Sequence, residues 1–237
     1  MPTTRGTMES MRRTALVAGV LYLVTFLSSI PAVVLLNPVL SDSNYIVSTG
    51  ADTQIRWGAF LDLVNALACI GTAVALFPVV KRQHEGFALG FVTTRIFEAA
   101  VIVTGVVCIL AVVALRQSGA GGADAASLVV VGRSLVAVRN GTFLLGPGLM
   151  PALNALLLGT LMYQSRLVPR VIPTVGLIGA PLLLSSTIGT MFGINEPVSA
   201  WTGIATLPIA AWELFLGLWM AIKGFNRSAP IMLAAAT

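Results

Sequence analysis

Two charged residues, Arg95 and Glu98, lie three positions apart inside an apolar stretch that is long enough to cross a bilayer. Because an α-helix turns about 100° per residue, side chains at this spacing share a face and can form an ion pair. If the helix meets lipid near Phe87, both charges lie roughly 12–16 Å deep in a hydrocarbon core about 30 Å thick. A charge there costs about 2.5–3.5 kcal/mol on insertion scales, so this face should avoid lipid.

Three more polar residues lie within apolar stretches: Glu213 near the centre of the last one, and Asp62 with Asn65 on one face of the second. We expect Arg95, Glu98 and Glu213 to form one buried cluster, with Asp62 and Asn65 as its next members, because the two glutamates lie at similar depths. Two carboxylates beside one arginine are costly at low dielectric, so one should be protonated near neutral pH. The alternative is an isolated Arg95–Glu98 pair that locks neighbouring helices together.

Charges at membrane depth are typical of sites that bind or move a small solute, ion or lipid, and this is the function that we favour. A second hypothesis is a non-catalytic structural or regulatory partner of another membrane protein, in which the charges are locks. A third, less favoured hypothesis is a membrane enzyme with carboxylate chemistry. No motif supports that chemistry, so the sequence leaves enzymatic activity undecided but favours its absence.

Several chemistries lack the residues that they need. The single histidine, His84, lies in a polar turn, which excludes a His-ligated zinc site, a bis-His haem site and an intramembrane Ser–His dyad. Two thiols, Cys69 and Cys108, are too few for a metal cluster. The net charge of +5 comes from basic residues beside apolar runs and does not indicate nucleic-acid binding. We therefore predict no catalytic residue, metal or other cofactor.

Composition predicts the class of fold that must position these residues. The chain of 237 residues is 57% hydrophobic and 10% charged, whereas soluble domains contain about 25% charged residues. Recurrent apolar runs predict an all-α transmembrane helix bundle, a single integral membrane domain over residues 1–237. The predicted spans are about 14–36, 55–80, 87–115, 141–163, 171–192 and 201–222.

The region around the fourth span is irregular. The apolar segment Ser127–Val138 is only about 18 Å long as a helix, so we predict a short helix on the outer side rather than a span. Pro147 and Pro151 should bend or unwind the fourth span, with Asn154 near its middle, and could form a kink or a gate.

The fifth span contains a possible helix–helix contact. Ser185, Gly189 and Gly193 repeat at intervals of four residues. Small residues at this spacing let helices approach closely, so we expect a helix-mediated oligomer through this face. Besides this contact and an unknown small ligand, the lipid bilayer is the expected partner.

Orientation follows from the distribution of lysine and arginine. Nine of these residues flank one set of span ends: Arg5, Arg12, Arg13, Lys81, Arg82, Arg166, Arg170, Lys223 and Arg227. Four flank the other set: Arg56, Arg116, Arg133 and Arg139. Because positive residues stay in the cytoplasm, we predict a multi-pass protein of the cytoplasmic membrane with both termini in the cytoplasm.

Three segments of the chain carry a family resemblance. They are Ala18–Leu23 (AGVLYL), Arg95–Ala99 (RIFEA) and Leu158–Arg170 (LGTLMYQSRLVPR). In these segments the chain resembles a bacterial family known as domain of unknown function 4386. The resemblance extends over nearly the whole chain. It implies a bundle of about six or seven helices in the cytoplasmic membrane, and it implies no activity.

The predicted orientation can be tested with reporter fusions at the ends of the spans. Fusions after Val80, after Ser165 and at the C-terminus should report from the cytoplasm, and fusions after Gln117 and Ile194 from the outside. An external signal after Ser165, or a cytoplasmic signal after Ile194, would contradict the six-span topology.

Overall fold

The computed structural model describes residues 4–48, 50–119 and 124–233, and these residues form helices joined by short turns. The helices are α1 Thr4–Ser41, α2 Asp52–Val80, α3 Glu85–Gln117, α4 Ala125–Leu145, α5 Met150–Ser165, α6 Val171–Met191, α7 Ala200–Ile222 and α8 Pro230–Leu233. A single-turn 3-10 helix, Tyr45–Val47, follows α1. No strand occurs in the described residues, which confirms the all-α prediction.

Six segments of the described chain are long and apolar enough to cross a membrane. Five are single helices, and the sixth comprises α4 and α5 together, Ala125–Ser165. Large apolar side chains cover the outside of the bundle; Leu27, Leu67 and Leu207, for example, are 74%, 61% and 68% exposed. Such an outer surface requires a lipid solvent, and the predicted transmembrane helix bundle is confirmed.

Six helices pack side by side in a closed ring. The order around the ring is α1, α2, α3, α5, α6 and α7, and α7 packs back against α1. Large buried side chains fill the interior, among them Tyr22, Phe91, Leu158, Trp212 and Leu216, each less than 2% exposed. The ring therefore encloses a hydrophobic core to which all six of its helices contribute.

Helix α4 lies outside this ring, against α3 and the 3-10 helix. Only Gly132 and Arg139 are buried along its length. A Cβ atom on Gly105 of α3 would lie 2.7 Å from Thr142 Oγ1, and Thr94 of α3 bonds to Asn154 of α5. Together α4 and α5 thus run antiparallel to α3 along its whole length.

The break in the fourth segment lies at Pro147, where the sequence analysis expected a bend, but the helix before it is longer than predicted. The helix expected over Ser127–Val138 continues to Leu145, and the chain turns at residues 146–149. Pro147 lacks the N–H that would continue the helix, which is the physical reason for the break. The Gly148 carbonyl, freed from helical pairing, accepts a hydrogen bond of 2.7 Å from Thr187 Oγ1 of α6.

The first and last long helices meet at one end of the ring. The Arg12 guanidinium donates hydrogen bonds of 3.0–3.1 Å to three carbonyl oxygens at the end of α7, those of Met220, Ala221 and Ile222. A helix leaves these carbonyls without internal partners and carries partial negative charge there, so an arginine suits the position. The described segments nearest the two termini therefore lie at the same end.

A polar network joins the helices at the opposite end. Arg116 Nη1 of α3 lies 2.6 Å from Asp52 Oδ2 of α2. The Tyr45 hydroxyl donates a hydrogen bond of 3.0 Å to Asp52 Oδ1. Burial, together with this acidic neighbour, raises the pKa of Tyr45 to about 12, so the phenol remains protonated and fixes the loop after α1.

The proposed ladder of small residues is not continuous in the structure. Helix α6 ends at Met191, and Gly193 adopts a left-handed turn with a φ of 70°. A Cβ atom on Gly189 would meet the Asn195 side chain of the protein's own loop. These residues therefore do not form one helical face open to a partner, and no oligomer is proposed through them.

Backbone contact between α1 and α7 closes the ring and gives a stability test. A Cβ atom on Gly19 would meet the backbone of Ala221 and lie 2.7 Å from the Gly217 carbonyl oxygen. Gly19→Ala should lower the free energy of unfolding in micelles by about 1–3 kcal/mol, since the helices must separate. Gly203→Ala of α7, which would meet no atom within 4 Å, is the control and should be neutral or slightly stabilising. Equal stability of the two variants would contradict this packing.

Candidate buried charge site

Arg95 lies at the centre of a buried charge cluster. Its Nη1 lies 3.1 Å from Glu98 Oε2 on the same helix, and its Nη2 lies 2.7 Å from Glu213 Oε1 of α7. The Arg95 and Glu98 side chains are only 3% and 5% exposed, and that of Glu213 is 14% exposed. The structure thus brings together the three charged residues that spacing and depth grouped in the sequence.

Uncharged neighbours hold the guanidinium from further sides. The ring of Tyr22 on α1 lies 5.1 Å from Arg95 Cζ, and the ring of Phe91 lies 5.8 Å from it. Arg95 Nη1 also approaches Cys69 Sγ of α2 at 3.6 Å. Aromatic faces attract a cation where water is excluded. The arginine therefore touches α1, α2, α3 and α7.

Asn154 connects the cluster to the broken fourth segment. Its Nδ2 donates a hydrogen bond of 2.8 Å to Glu98 Oε2, and its Oδ1 accepts one of 2.5 Å from Thr94 Oγ1. Asn154 is 1% exposed and lies one turn into α5, just beyond the break. The sequence analysis assigned Asn154 to a kink or gate, and in the structure it is a direct partner of the charged cluster.

The cluster retains unused hydrogen-bonding capacity. Arg95 Nε is buried and has no hydrogen-bond partner in the described structure. Glu98 Oε1 and Glu213 Oε2 likewise accept no hydrogen bond from the described residues, because each carboxylate is bonded only through its other oxygen. With all three groups ionised, two carboxylates and one guanidinium leave one uncompensated negative charge at this depth.

A cavity of about 190 Å³ adjoins the cluster. Its walls come from all six helices of the ring and from the break in the fourth segment. The lining residues are Thr25, Phe26, Ser29, Asn65, Cys69, Arg95, Glu98, Pro147, Pro151, Leu183, Thr206, Ile209, Ala210 and Glu213. Asn65, Pro147 and Pro151 therefore line the same cavity as the charged residues, and its wall contains both polar and apolar side chains.

The cavity extends from the cluster toward one end of the ring, the end away from the start of α1 and the end of α7. Relative to the charged residues, Ser29 lies further along α1, while Asn65 and Thr206 lie nearer the starts of α2 and α7. All three positions are displaced toward the loops after α1 and α6. The charged cluster therefore forms the floor of the cavity, about 20 Å into α3 and near the middle of the membrane.

Asp62 does not join the cluster, which corrects the sequence analysis. Its Oδ2 lies 3.6 Å from Arg139 Nη2 of α4, and the side chains are 15% and 7% exposed. Arg139 also lies over the Phe143 ring at 4.7 Å. Asp62 points away from the ring interior because its position on α2 faces α3 and α4. Pro147 lines both the small cavity at the Asp62–Arg139 pair and the cavity beside the Arg95 cluster.

Arg139 is the main residue that sequence reasoning missed. We placed it at a helix end because the fourth span was expected to begin at residue 141. The usable signal was that an acidic residue inside a predicted span needs a basic partner at similar depth. The cavity hydroxyls carried no such signal, since in apolar helices they often bond to their own backbone, as Thr25 Oγ1 does to the Tyr22 carbonyl.

The chemistry available here is binding and charge exchange. Among the described residues, no group of three or more His, Cys, Asp or Glu side chains could hold a metal ion. The carboxylates can accept a proton or a hydrogen-bonding cation. The apolar lining accommodates a hydrocarbon portion of a ligand.

A ring of membrane-length helices around a buried charge cluster and a cavity defines this chain as a multi-pass membrane protein. The model of the domain of unknown function family DUF4386 matches residues 17–224, so the chain belongs to that family. This membership confirms the resemblance stated above, and it brings no assigned activity. No curated protein and no solved structure matches the chain.

The cluster should behave as one electrostatic unit. Arg95→Met leaves two buried carboxylates without their cation and should lower the free energy of unfolding by about 3–5 kcal/mol. The triple variant Arg95→Met, Glu98→Gln and Glu213→Gln removes all three charges and should cost much less. Both can be measured by unfolding in mixed micelles.

The exposed pair between Arg13 and Glu9 is the matched control, with side chains 76% and 67% exposed. Glu9→Gln should change the stability by no more than about 0.5 kcal/mol. A triple variant as unstable as Arg95→Met alone would contradict the electrostatic interpretation, because the loss would then come from packing.

Proposed function

We propose that this membrane protein binds a small polar solute in the cavity above the Arg95 cluster. The observation that carries the proposal is the adjacency of a cavity to buried carboxylates that the protein pairs through only one oxygen each. The cavity of about 190 Å³ is lined by Arg95, Glu98 and Glu213, and the second oxygen of each glutamate accepts no hydrogen bond from the described residues. Charges that served only as locks between helices would be fully paired in a dry interior.

The size of the cavity limits the solute. A protein cavity of about 150 Å³ is known to accommodate benzene, so this one suits a molecule of about six to eight non-hydrogen atoms. The lining supports an amphiphilic ligand: Asn65, Thr206 and the charged floor are polar, whereas Phe26 and Leu183 are apolar. Such mixed linings are typical of sites that fix the orientation of a small molecule.

The broken fourth segment supports a role in moving the solute as well as binding it. Interrupted helices at mid-membrane are a recurrent feature of transporter binding sites. Here the break at residues 146–149 lies beside the cluster: a Cβ atom on Gly146 would be 3.7 Å from the Glu98 carbonyl oxygen. Motion of α4 about this break would change the cavity wall at Pro147.

We further propose that the protein lies in the cytoplasmic membrane with both termini in the cytoplasm. The support is the concentration of basic residues at the end of the ring where α1 begins and α7 ends. In this orientation the cavity extends from the charged floor toward the external side. A solute would then approach from outside.

The proposal can be tested by ligand-induced stabilisation of the purified protein. A panel of small amines, alcohols, amides and carboxylates should contain compounds that raise the melting temperature, because a ligand at 100 times its Kd stabilises by about 2.7 kcal/mol. Ala210→Phe fills the cavity and should abolish the shift. Leu207→Phe, on the exposed face of the same helix, should preserve it.

Two results would overturn this function. One is a panel in which no compound stabilises the protein. The other is a shift that persists unchanged in the Ala210→Phe variant, since binding would then occur elsewhere.

A further inference from the structure

We propose that the solute is a small organic monocation, namely a protonated amine with a short hydrocarbon portion, which exchanges with a proton at the Glu98–Glu213 pair. This inference rests on the proposed function and specifies the class of ligand. Its starting point is the charge balance of the cavity floor. Nothing in the described part of the chain neutralises the second carboxylate.

The excess of one negative charge at the cavity floor remains when every helix packed around the site is considered. Helix α1 presents Tyr22 and α2 presents Cys69, a phenol and a thiol that are uncharged below their usual titration ranges. Helix α3 supplies Arg95 and Glu98, and α7 supplies Glu213. The side chains that α5 and α6 contribute to the cavity, Pro151 and Leu183, carry no charge.

The other buried charges in the membrane do not alter this balance. Asp62 and Arg139 neutralise each other at 3.6 Å and line a separate, much smaller cavity of about 20 Å³. A single positive charge is therefore missing at the cavity floor. A proton on one carboxyl or a bound monocation restores neutrality, and the two compete for the same oxygens.

The carboxylate oxygens that accept no hydrogen bond favour an ammonium group over other cations. Glu98 Oε1 and Glu213 Oε2 are both available acceptors, and an ammonium has three donors. Asn65, which is 8% exposed, lines the same cavity, and its side-chain oxygen accepts only a long contact of 4.0 Å from Cys69 Sγ, so it can accept a further donor. The described residues hold no group of three His, Cys, Asp or Glu side chains that could bind a metal ion, and at this floor a divalent ion would meet only two carboxylates beside a guanidinium.

The remaining lining accounts for the hydrocarbon portion. Phe26, Leu183 and Ile209 contribute apolar surface to the cavity, and Ala210 leaves space beside Glu213. An anion is disfavoured because both terminal nitrogens of Arg95 already bond to carboxylates, leaving only Nε. An inorganic monocation would leave this apolar volume unfilled. The combined features fit a protonated amine of about six to eight non-hydrogen atoms.

The exchange conserves charge and atoms. When the carboxyl pair holds a proton, binding of an alkylammonium ion releases that proton to solvent, and the floor stays neutral. When the pair is fully ionised, the ammonium binds without proton release. The Kd for the ammonium ion should therefore rise about tenfold for each unit by which the pH falls below the titration of the pair.

Three probes of equal size and different charge test the inference. Cyclohexylammonium, cyclohexanol and cyclobutanecarboxylate, each of about seven non-hydrogen atoms, fit the volume limit, and they carry one positive, no and one negative charge at about pH 8. Thermal stabilisation of the full-length protein in micelles should be largest for the ammonium, smaller for the alcohol and absent for the carboxylate. The ammonium effect should weaken as the pH is lowered from about 8, because a proton then competes for the same carboxylate oxygens.

Calorimetry in buffers of different ionisation enthalpy gives a second readout, the number of protons released per bound ammonium. We expect a value approaching one as the pH is lowered and near zero at the highest pH of the series. Glu213→Gln should remove the preference for the ammonium over the alcohol. Glu9→Gln, an exposed carboxylate in α1, is the control and should leave the preference unchanged.

The outcomes separate this inference from the proposed function. If cyclohexanol or cyclobutanecarboxylate stabilises as well as the ammonium at about pH 8, and Ala210→Phe abolishes the effect, a solute site exists but the monocation inference is wrong. If the ammonium binds without any pH dependence or proton release, the exchange is wrong. If neither these probes nor the wider panel stabilises the protein, both proposals fail. Should Glu213→Gln not fold, the wild-type pH series and proton count still decide.

Discussion

The Arg95 guanidinium contacts the carboxylates of Glu98 and Glu213 near the middle of the membrane, and the packing of the helices is built around this contact. Each charge would cost several kcal/mol in lipid, so Arg95 must be enclosed by protein. The ring order follows from that requirement, because α1, α2, α3 and α7 all contact the arginine and α5 reaches Glu98 through Asn154. Buried ion pairs add little net stability, but a mispaired one is costly, so this contact specifies how the helices are aligned.

The break that Pro147 causes in the fourth segment also serves this contact. If the fourth segment were one continuous helix packed along α3, the backbone groups beside Glu98 would already be hydrogen-bonded within that helix. The turn at residues 146–149 instead starts a new helix there and brings the Asn154 amide to the carboxylate. The freed Gly148 carbonyl is bonded by Thr187 of α6, so the break leaves the backbone satisfied while connecting three helices.

Much of this arrangement could be predicted from sequence, but only where helical geometry alone determines it. The pairing of Arg95 with Glu98 follows from a spacing of three residues, and the proximity of Glu213 follows from its depth in an antiparallel span. Asp62 has a suitable depth as well, yet it faces α4 and pairs with Arg139. Depth does not specify which face of α2 points inward. The extension of α4 to Leu145 was missed because the polar residues Arg139 and Asn140 indicate a helix end in the sequence, whereas in the structure Arg139 is buried against Asp62.

The closure of the ring by α1 and α7 has a consequence for biogenesis. Arg95 and Glu98 are synthesised together, so the translocon can receive them as a neutral pair within one helix. Glu213, 118 residues after Arg95, is made only with α7. Until α7 emerges from the ribosome, α1 has no neighbour on one side, and the glycine contact at Gly19 cannot form. The charged cluster and the ring are therefore completed in the same step, and a nascent protein without α7 has an open bundle.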